Sequence, residues 1–332
     1  MIGVGVSPLL SRQQLWWPTG ATFYADFANI RYMKNGLEVS NSNAFSFTRA
    51  STKLALDADG HWHNFATDIA AITNKGLSLE SAETYHPTNS SFSGANIGSI
   101  GAGGAIPTGW YAGSWTSIEI ISLTNIDGLD VIVLDLTLDN TSGGSAVGGS
   151  IEFCNVEALF GEHWTVGGQF ELMQTFGDDT CTAPENILQI QERNSSNGFL
   201  NNLGGIINNL DLSSLGDKVA KTKPISDISA GRIAAFYSWN NVLPGELFHR
   251  RCAICMPFAT KGTTVSSPLP TSNAGTQVRA QDAITLLLPT QPQQLTVQYD
   301  DSSTVEFLSV SGETALPLNA EKAIRSVSAT PI

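Results

Sequence analysis

The sequence predicts an all-β protein. Across its 332 residues, short runs in which apolar and polar residues alternate recur many times, and helical periodicity is nearly absent. A strand with one buried face and one solvated face has this period of two. Clusters of Gly, Asn, Asp and Pro separate the runs, as they separate the strands of sandwiches and barrels. The pattern therefore favours packed antiparallel sheets.

Two runs show the alternation most clearly. In DVIVLDLTL, one face of the predicted strand carries Ile132, Leu134, Leu136 and Leu138. In QLTVQYD, one face carries Leu295, Val297 and Tyr299. The same reasoning predicts further strands at Trp115 to Leu123, Ser150 to Val156, Gln169 to Phe176, Ile187 to Glu192, Arg232 to Trp239 and Leu247 to Met256. The stretch from Asn201 to Ala220 contains glycines and Asn pairs, so it is predicted as a long loop with a short helix at most.

The surface is predicted to be polar but weakly charged. Only 14% of the residues are charged, against about 25% in typical soluble domains. The formal net charge is −13 and no basic patch is visible, which makes nucleic acid a poor partner because phosphate binding requires Lys and Arg. The first twenty residues contain neither a basic region nor a long apolar core, so we expect neither a secretory signal nor membrane insertion.

The four cysteines are too few for a disulfide framework at this chain length. Cys252 and Cys255 form a C-x-x-C, but this pair lies in a predicted strand, and no second pair follows at zinc-ribbon spacing. We therefore expect buried free thiols rather than a metal or redox site.

Four short motifs occur in order along the chain. The first joins an Asp-Phe pair at 26–27 to a T-R-A-S sequence at 48–51. The second is GLSLESAE at 76–83.

The third motif is PTGW at 107–110, and the fourth reads SPLPT at 267–271 and then RAQD at 279–282. In this order the four motifs resemble the pattern of virion spike or fibre proteins of tailed bacteriophages and gene transfer agents, which contain a jelly-roll carbohydrate-binding module. The chain departs from that pattern at Glu83, where the pattern has Arg, and at Tyr85, where it has Asn.

The resemblance implies an all-β virion protein with a central jelly-roll β-sandwich, a β-rich N-terminal segment and a small C-terminal β unit. The predicted division is a virion-attachment segment at 1–85, a jelly-roll carbohydrate-binding-like domain at 86–265, and a linker with a small C-terminal β domain at 266–332. The implied partners are other virion proteins, a host surface polysaccharide and further copies of the chain, usually as a homotrimer. Such a protein is assembled in the host cytoplasm and exposed on the extracellular particle.

Sugar recognition requires flat apolar faces flanked by amides and carboxylates. The residues that meet this need beside loop signals are Trp164, Tyr237, Trp239, Asn240 and Asn241. Packing in the sandwich core is the alternative for either Trp. Near the N-terminus, the candidates for a virion-attachment interface are Leu15, Trp16 and Trp17.

Catalytic and metal-binding patterns are weak. The adjacent acids at 178–179 and 300–301 lie in turn sequences, and the chain has no β-helix repeat of the kind found in depolymerases. The DADG sequence at 57–60 lacks the other EF-hand ligands and predicts a turn. His61 and His63 have no third metal ligand nearby. We therefore expect no catalytic residues, metal site or cofactor, with a structural calcium ion left open at ligands that the sequence does not identify.

The leading hypothesis is a non-enzymatic virion adhesin, as a tail fibre, spike or head fibre, that binds a bacterial surface polysaccharide. Oligomerisation would multiply weak binding at each site. One alternative is a purely architectural head or tail subunit without sugar binding. The second alternative is a capsule depolymerase.

Overall fold

A computed structural model describes residues 15–126, 129–182, 185–203, 219–263, 267–271 and 275–332. The predicted loop between Asn201 and Ala220 falls largely outside these residues. The regular secondary structure of the described residues is almost entirely strand, with one four-residue helix, α1 (Asn41–Ala44). The all-β prediction is confirmed.

The strands follow one another in three groups along the chain. The first group is β1 (Phe23–Asp26), β2 (Arg31–Lys34), β3 (Leu37–Val39), β4 (Phe45–Thr48), β5 (Lys53–Leu56), β6 (Trp62–Phe65), β7 (Ile72–Thr73) and β8 (Gly76–Leu79). The second group is β9 (Glu83–Tyr85), β10 (Gly98–Ser99), β11 (Tyr111–Gly113), β12 (Ser117–Ile126), β13 (Leu129–Asp139), β14 (Val147–Glu157), β15 (His163–Thr175), β16 (Glu185–Arg193), β17 (Phe199–Asn202), β18 (Val219–Pro224), β19 (Arg232–Val242), β20 (Leu247–Lys261) and β21 (Gln277–Arg279). The third group is β22 (Ala283–Leu287), β23 (Gln293–Tyr299), β24 (Thr304–Val310), β25 (Glu313–Ala315) and β26 (Asn319–Pro331).

Strands from the two ends of the chain form one unit, which we call the base. Its larger sheet has the strand order β24-β23-β26-β1-β2-β3, and β8 also pairs with β26. Val327 of β26 therefore lies between Ala25 of β1 and Val297 of β23. A smaller sheet, β25-β22-β4, contributes to the same apolar core. The alternation predicted for Leu295, Val297 and Tyr299 is confirmed, because all three are buried in that core.

Pairing of β8 with β26 depends on a glycine. Gly76 has a φ of +131°, and a Cβ at this position would lie 2.4 Å from the carbonyl oxygen of Ile324. Any side chain would therefore clash with the backbone of β26, so this close approach requires Gly.

The middle of the chain forms a sandwich of two antiparallel sheets. The first sheet has the order β10-β12-β13-β20-β15-β18, and the second has the order β11-β14-β19-β16-β17. From β13 to β20 the chain crosses between the sheets at nearly every connection, as in Greek-key sandwiches. The predicted inner face of β13 is confirmed, since the core contains Ile132, Leu134, Leu136 and Leu138. The jelly-roll class inferred from the motifs is compatible with this order and stays a prediction.

The β5–β6 hairpin forms a separate two-stranded sheet that packs on the outer face of the first sheet. Leu54 belongs to an apolar cluster with Val131, Val133 and Met256, which lie on β13 and β20. Val131 and Val133 alternate with the inner-face residues of β13, so this cluster covers the opposite side of the sheet. The hairpin, which connects β4 to β7 along the chain, therefore makes an apolar contact with the sandwich.

The C-x-x-C of β20 places its two thiols on opposite faces of the strand. Cys252 lies in the core between the sheets, whereas Cys255 lies in the outer cluster with Leu54. Strand residues three apart point to opposite sides, so this pair does not converge on one metal ion. Burial raises the pKa of Cys154 and of Cys255 to about 12, which keeps both thiols protonated. The prediction of buried free thiols is confirmed for these three residues.

Five buried charged side chains join the base to the sandwich, and we call this network the clasp: Arg49, Lys53, Glu80, Arg279 and Asp282. Asp282 accepts from Arg49 at 3.0 Å and from Lys53 at 2.6 Å. Glu80 lies 2.8 Å from Arg279 and 3.3 Å from Lys53. No clasp side chain is more than 3% exposed. The clasp lies where the chain passes from β8 to β9 and returns from β21 to β22.

Backbone groups supply further hydrogen bonds to the clasp, in which the Nε of Arg279 is the one buried side-chain nitrogen or oxygen without a partner. The Nη2 of Arg49 donates to three carbonyl oxygens at 2.9 to 3.3 Å. The backbone N–H of Glu80 donates to Asp282 at 2.8 Å, and that of Ser267 donates to Glu80 at 2.8 Å. Buried charges are tolerated when their partners and hydrogen bonds are complete. Three of the four sequence motifs supply four of these five residues, all except Lys53, so charged positions of the motifs hold the junction together.

Acid is expected to weaken the clasp. Burial alone would raise the pKa of Glu80, but Lys53, Arg279 and hydrogen bonds from Ser267 outweigh it and hold that pKa below its ordinary value of 4.5. A carboxylate with a lowered folded-state pKa adds stability above its unfolded pKa, and this stability is lost as the pH falls through the folded value.

The measurement compares urea unfolding of the wild type and of Glu80→Gln as a function of pH. The wild type should be more stable above pH 4.5, and the difference should shrink as the pH falls below that value. A difference that stays constant down to about pH 2 would contradict this role of Glu80.

Candidate functional site

Three of the predicted sugar-binding residues lie in the sandwich core. Trp164, Tyr237 and Trp239 are only 1%, 2% and 2% exposed. Their positions on β15 and β19 point between the two sheets, where their rings contact other core side chains and not solvent. This burial corrects the carbohydrate-binding interpretation of these three residues. Core packing, the alternative that the sequence left open, describes them.

The other two predicted residues lie at the border of a surface pocket. Asn240 and Asn241 are partly exposed and form a bulge in β19, where Asn241 has a φ of +66°. Gly148 lies opposite this bulge, and a Cβ on it would lie 2.3 Å from the Oδ1 of Asn240. Gly148 also lines the pocket. The two Asn residues therefore lie next to the pocket without being part of its lining.

The pocket, which we call the tip pocket, lies at one end of the sandwich between the two sheets. Its volume is about 460 Å³, and its lining is Ser114, Trp115, Thr116, Leu138, Asp139, Val147 and Gly148. These residues come from the β11–β12 connection, the end of β13 and the start of β14. Pockets of a few hundred Å³ with apolar walls and a few polar groups are typical small-molecule sites.

The apolar wall of the tip pocket is the half-buried indole of Trp115. The ring packs on Trp239, with 5.3 Å between centroids, and on Phe248. Its Nε1 donates to the carbonyl oxygen of Ser150 at 3.0 Å. A Cβ on Gly149 would lie 2.5 Å from the indole, so this glycine makes room for the ring. Trp115 is therefore held in one orientation while part of it stays exposed.

The polar wall of the tip pocket centres on Asp139. Its Oδ1 accepts from the hydroxyl of Thr141 at 2.6 Å and from the backbone N–H of Thr141 at 3.0 Å. These bonds hold the pKa of Asp139 below its ordinary value, so the carboxylate is ionised and acts as an acceptor. Thr116 and Ser114 add exposed hydroxyls. A flat apolar ring beside such polar groups can contact both the C–H face and the hydroxyls of a sugar.

The adjacent acid pairs noted in the sequence lie outside the tip pocket lining. Asp178 contacts His249 at 2.8 Å, and Asp301 contacts Lys322 at 2.6 Å. Both pairs lie in connections between strands, as the turn interpretation predicted. Asp139 is the single carboxylate in the tip pocket lining.

The possible metal ligands near 57–60 belong to a hairpin turn. The Oδ2 of Asp57 lies 2.8 Å from the Nε2 of His63, and its Oδ1 lies 3.8 Å from the Nδ1 of His61. Backbone N–H groups of Asp59 and His61 also donate to Asp57. Among the described residues, no group of three or more His, Cys, Asp or Glu side chains could hold a metal ion. The absence of a cofactor and the open question of calcium stay predictions.

The predicted attachment residues lie on the base. Leu15 is exposed, and Trp16 contacts Trp17 with 5.1 Å between ring centroids and Tyr24 with 5.8 Å. The guanidinium of Arg31 lies 4.0 Å from the ring centroid of Trp16. The attachment role of this aromatic group stays a prediction. In the described part of the chain, no helix is long and apolar enough to span a bilayer.

Comparisons with known proteins give no family. No protein-family model and no curated protein matches the chain. The adhesin domain of Epf from Streptococcus pyogenes is 10% identical, with a TM-score of 0.24, over 73% of this chain and 81% of that one. The VP2 subviral particle of infectious bursal disease virus is 9% identical, with a TM-score of 0.26, over 87% and 76%. The structure of the Gx strain of that virus is 11% identical, with a TM-score of 0.24, over 90% and 70%. Similarity at these TM-scores carries no inference about function.

Proposed function

We propose that the chain is a non-enzymatic glycan-binding subunit of a virion appendage, an adhesin for a bacterial surface polysaccharide. The observation that carries the proposal is the tip pocket, where the half-buried ring of Trp115 lies with Asp139 and the hydroxyls of Ser114 and Thr116. The C–H face of a sugar ring would stack on the indole. The carboxylate and hydroxyls would then bind its hydroxyl groups.

Composition supports a saccharide as the ligand. The net charge of −13 disfavours nucleic acid, whose binding depends on Lys and Arg. Only 14% of the residues are charged, so most polar contacts available at the surface are neutral hydrogen-bonding groups. Such groups suit the hydroxyls of a neutral sugar.

The tip pocket supports binding rather than hydrolysis. Glycoside hydrolysis uses two carboxyl groups, one of which protonates the leaving group. The lining supplies only Asp139, and its lowered pKa favours the ionised form, which has no proton to donate. The proposal therefore includes no bond-breaking step at this pocket.

The virion location is proposed from the four sequence motifs. Charged residues from three of the motifs, namely Arg49, Glu80, Arg279 and Asp282, meet in the clasp, so these three motifs correspond to one connected junction. In a homotrimer, three tip pockets on one appendage would raise the avidity for a repeating polysaccharide without any new contact.

Removing the indole from the tip pocket should remove most of the glycan binding. In Trp115→Ala, the affinity for a bound polysaccharide should fall by about tenfold or more, because a stacked ring supplies a large share of the binding free energy. Trp115→Phe keeps an apolar ring above Trp239 and should lose less. The measurement is binding of the full chain to an array of bacterial surface polysaccharides, followed by titration calorimetry on the strongest binder.

Phe160→Ala is the matched control. Phe160 is exposed in the β14–β15 connection, at the opposite end of β14 from the tip pocket, so its removal should leave binding unchanged. If the wild-type chain stays at background across the array, the adhesin proposal fails and the architectural alternative is favoured. Release of reducing ends from a bound polysaccharide would favour the depolymerase alternative.

A further inference from the structure

The outer face of the second sheet presents an exposed aromatic ring near the tip pocket. Tyr111 of β11 is 62% exposed although it lies within a strand. A Cβ on Gly113 would lie 3.2 Å from the Cε1 of Tyr111 and 3.4 Å from the Oγ of Ser150. The ring therefore lies along the sheet over Gly113, and its other face is open to solvent.

Strand β14 connects this ring to the tip pocket. Tyr111 pairs with Glu152, and Gly113 pairs with Ser150. Gly148, Ser150 and Glu152 are two residues apart, so they share the outer face, and Gly148 also lines the tip pocket. At about 3.3 Å per residue, Gly148 and Glu152 are roughly 13 Å apart. One sugar unit does not span that distance, whereas a short chain of units does.

Two charges on this face, those of Arg193 and Glu152, neutralise each other. Arg193 of β16 donates to Glu152 at 2.8 Å, to Asn197 at 3.0 Å and to Gln191 at 2.8 Å. Asn155 donates to the second oxygen of Glu152 at 2.8 Å. The guanidinium is therefore engaged by three side chains and is a poor partner for an acidic polysaccharide. A neutral polysaccharide can bind here because it does not need a free cationic side chain.

Side-chain amides continue the polar surface on β16 and β17, which lie beyond β19 in the same sheet. Gln189 donates to the Oδ1 of Asn202 at 2.7 Å, and Gln191 donates to the same atom at 3.1 Å. A side-chain amide has two N–H donors and one acceptor oxygen, so these groups retain hydrogen-bonding capacity for a ligand. Sugar hydroxyls, which both donate and accept, match that capacity.

We propose that the outer face of the second sheet is an extended subsite, and that the ligand is a linear, uncharged polysaccharide. The polymer extends from the tip pocket along β14 to the ring of Tyr111, and the amides of β16 and β17 lie further along the same face, beyond β19. This inference rests on the proposed function and adds to it the class of ligand and the way in which it lies on the protein. Affinity should therefore rise with the length of the sugar chain.

The test compares fragments of two lengths. Disaccharide and hexasaccharide fragments are prepared from the neutral polysaccharide that the full chain binds most strongly on the array, and calorimetry measures both. Tyr111→Ala should bind the hexasaccharide about five- to tenfold more weakly than the wild type does, and the disaccharide equally well. Tyr111→Phe, which keeps the ring, should bind both fragments as the wild type does. Tyr111 is exposed, so thermal unfolding of these variants should match the wild type.

The outcomes separate this inference from the proposed function. If Trp115→Ala weakens both fragments while Tyr111→Ala binds both normally, the extended subsite is overturned and the tip pocket stands. If Trp115→Ala also binds both fragments normally, the proposed site itself fails. A stronger preference of the wild-type chain for acidic than for neutral polysaccharides on the array would overturn the proposed ligand class.

Discussion

Replacing Asp282 with Ala is expected to lower the free energy of unfolding by about 3–5 kcal/mol. Asp282 lies 3.0 Å from Arg49 and 2.6 Å from Lys53, and all three side chains are fully buried. Without the carboxylate, two cations remain in the interior with one fewer counter-charge, and neither can regain its hydration there. The measurement is urea unfolding of the full chain, with tryptophan fluorescence as the signal that reports unfolding.

An exposed ion pair in the same base provides the control. Glu38 lies 3.3 Å from Arg31, and both side chains are largely solvated. Solvent screening limits the loss in Glu38→Ala to about 0–1 kcal/mol. Asp282→Asn keeps the shape of the side chain but not its charge, so it should resemble Asp282→Ala more than the wild type. Equal losses for Asp282→Ala and Glu38→Ala would contradict the description of the clasp as a buried network.

Removing a buried indole from the sandwich should have an effect of similar size. Trp164→Ala and Trp239→Ala are each expected to lower the free energy of unfolding by about 3–5 kcal/mol, because each leaves a large cavity between the sheets. Neither side chain is more than 2% exposed, and both belong to the same core. Urea unfolding of the full chain measures the loss. Phe160→Ala, which changes an exposed ring, should stay within about 0.5 kcal/mol of the wild type.

Glycan binding then distinguishes a core residue from a contact residue. Trp164→Phe retains most of the ring volume, so the folded protein should bind the polysaccharide with wild-type affinity. Calorimetry under conditions in which the variant is fully folded makes the comparison. A folded Trp164 variant that has lost glycan binding would restore the sugar-stacking interpretation of this residue.

The strands could be predicted from the sequence where one face of a strand is buried and the other is solvated. Burial then alternates along the strand, and the hydrophobic pattern reports it directly. Strand β20 shows the limit of this reasoning. It continues past Met256, the predicted end, to Lys261, and nearly every residue between them is buried. A strand covered on both faces has no alternation to read.

The motifs contain four of the five clasp residues but do not indicate how these residues pair. Arg49 and Asp282 are 233 residues apart and meet only in the folded chain. Nothing in the strand pattern indicates that the first and last strands share a sheet, because pairing partners leave no mark on the sequence of either strand. The departure at Glu83 is accommodated locally, since its carboxylate lies 3.8 Å from Arg279.

The site residues were harder to predict than the strands. Trp239 alternates in phase with Ala235 and Tyr237, which all point inward, so the period of two already favoured the core over a sugar contact. Trp115 was predicted only as the start of a strand. Its role depends on the space left by Gly149 and on the approach of Asp139 from another strand, and both follow from tertiary structure alone.

The sharing of one sheet by the first and last strands also sets an order of events during synthesis. Thr22, beside β1, bonds to Ala329 of β26, 307 residues later. At about 5–20 residues per second, the first strand waits roughly 15–60 s on the ribosome for its partner. The sandwich is continuous in sequence and can fold within that interval, whereas the base closes only at the end. A prematurely terminated chain would thus contain a folded sandwich but a base whose first strand has no partner, and this unpaired strand edge would distinguish it from complete copies.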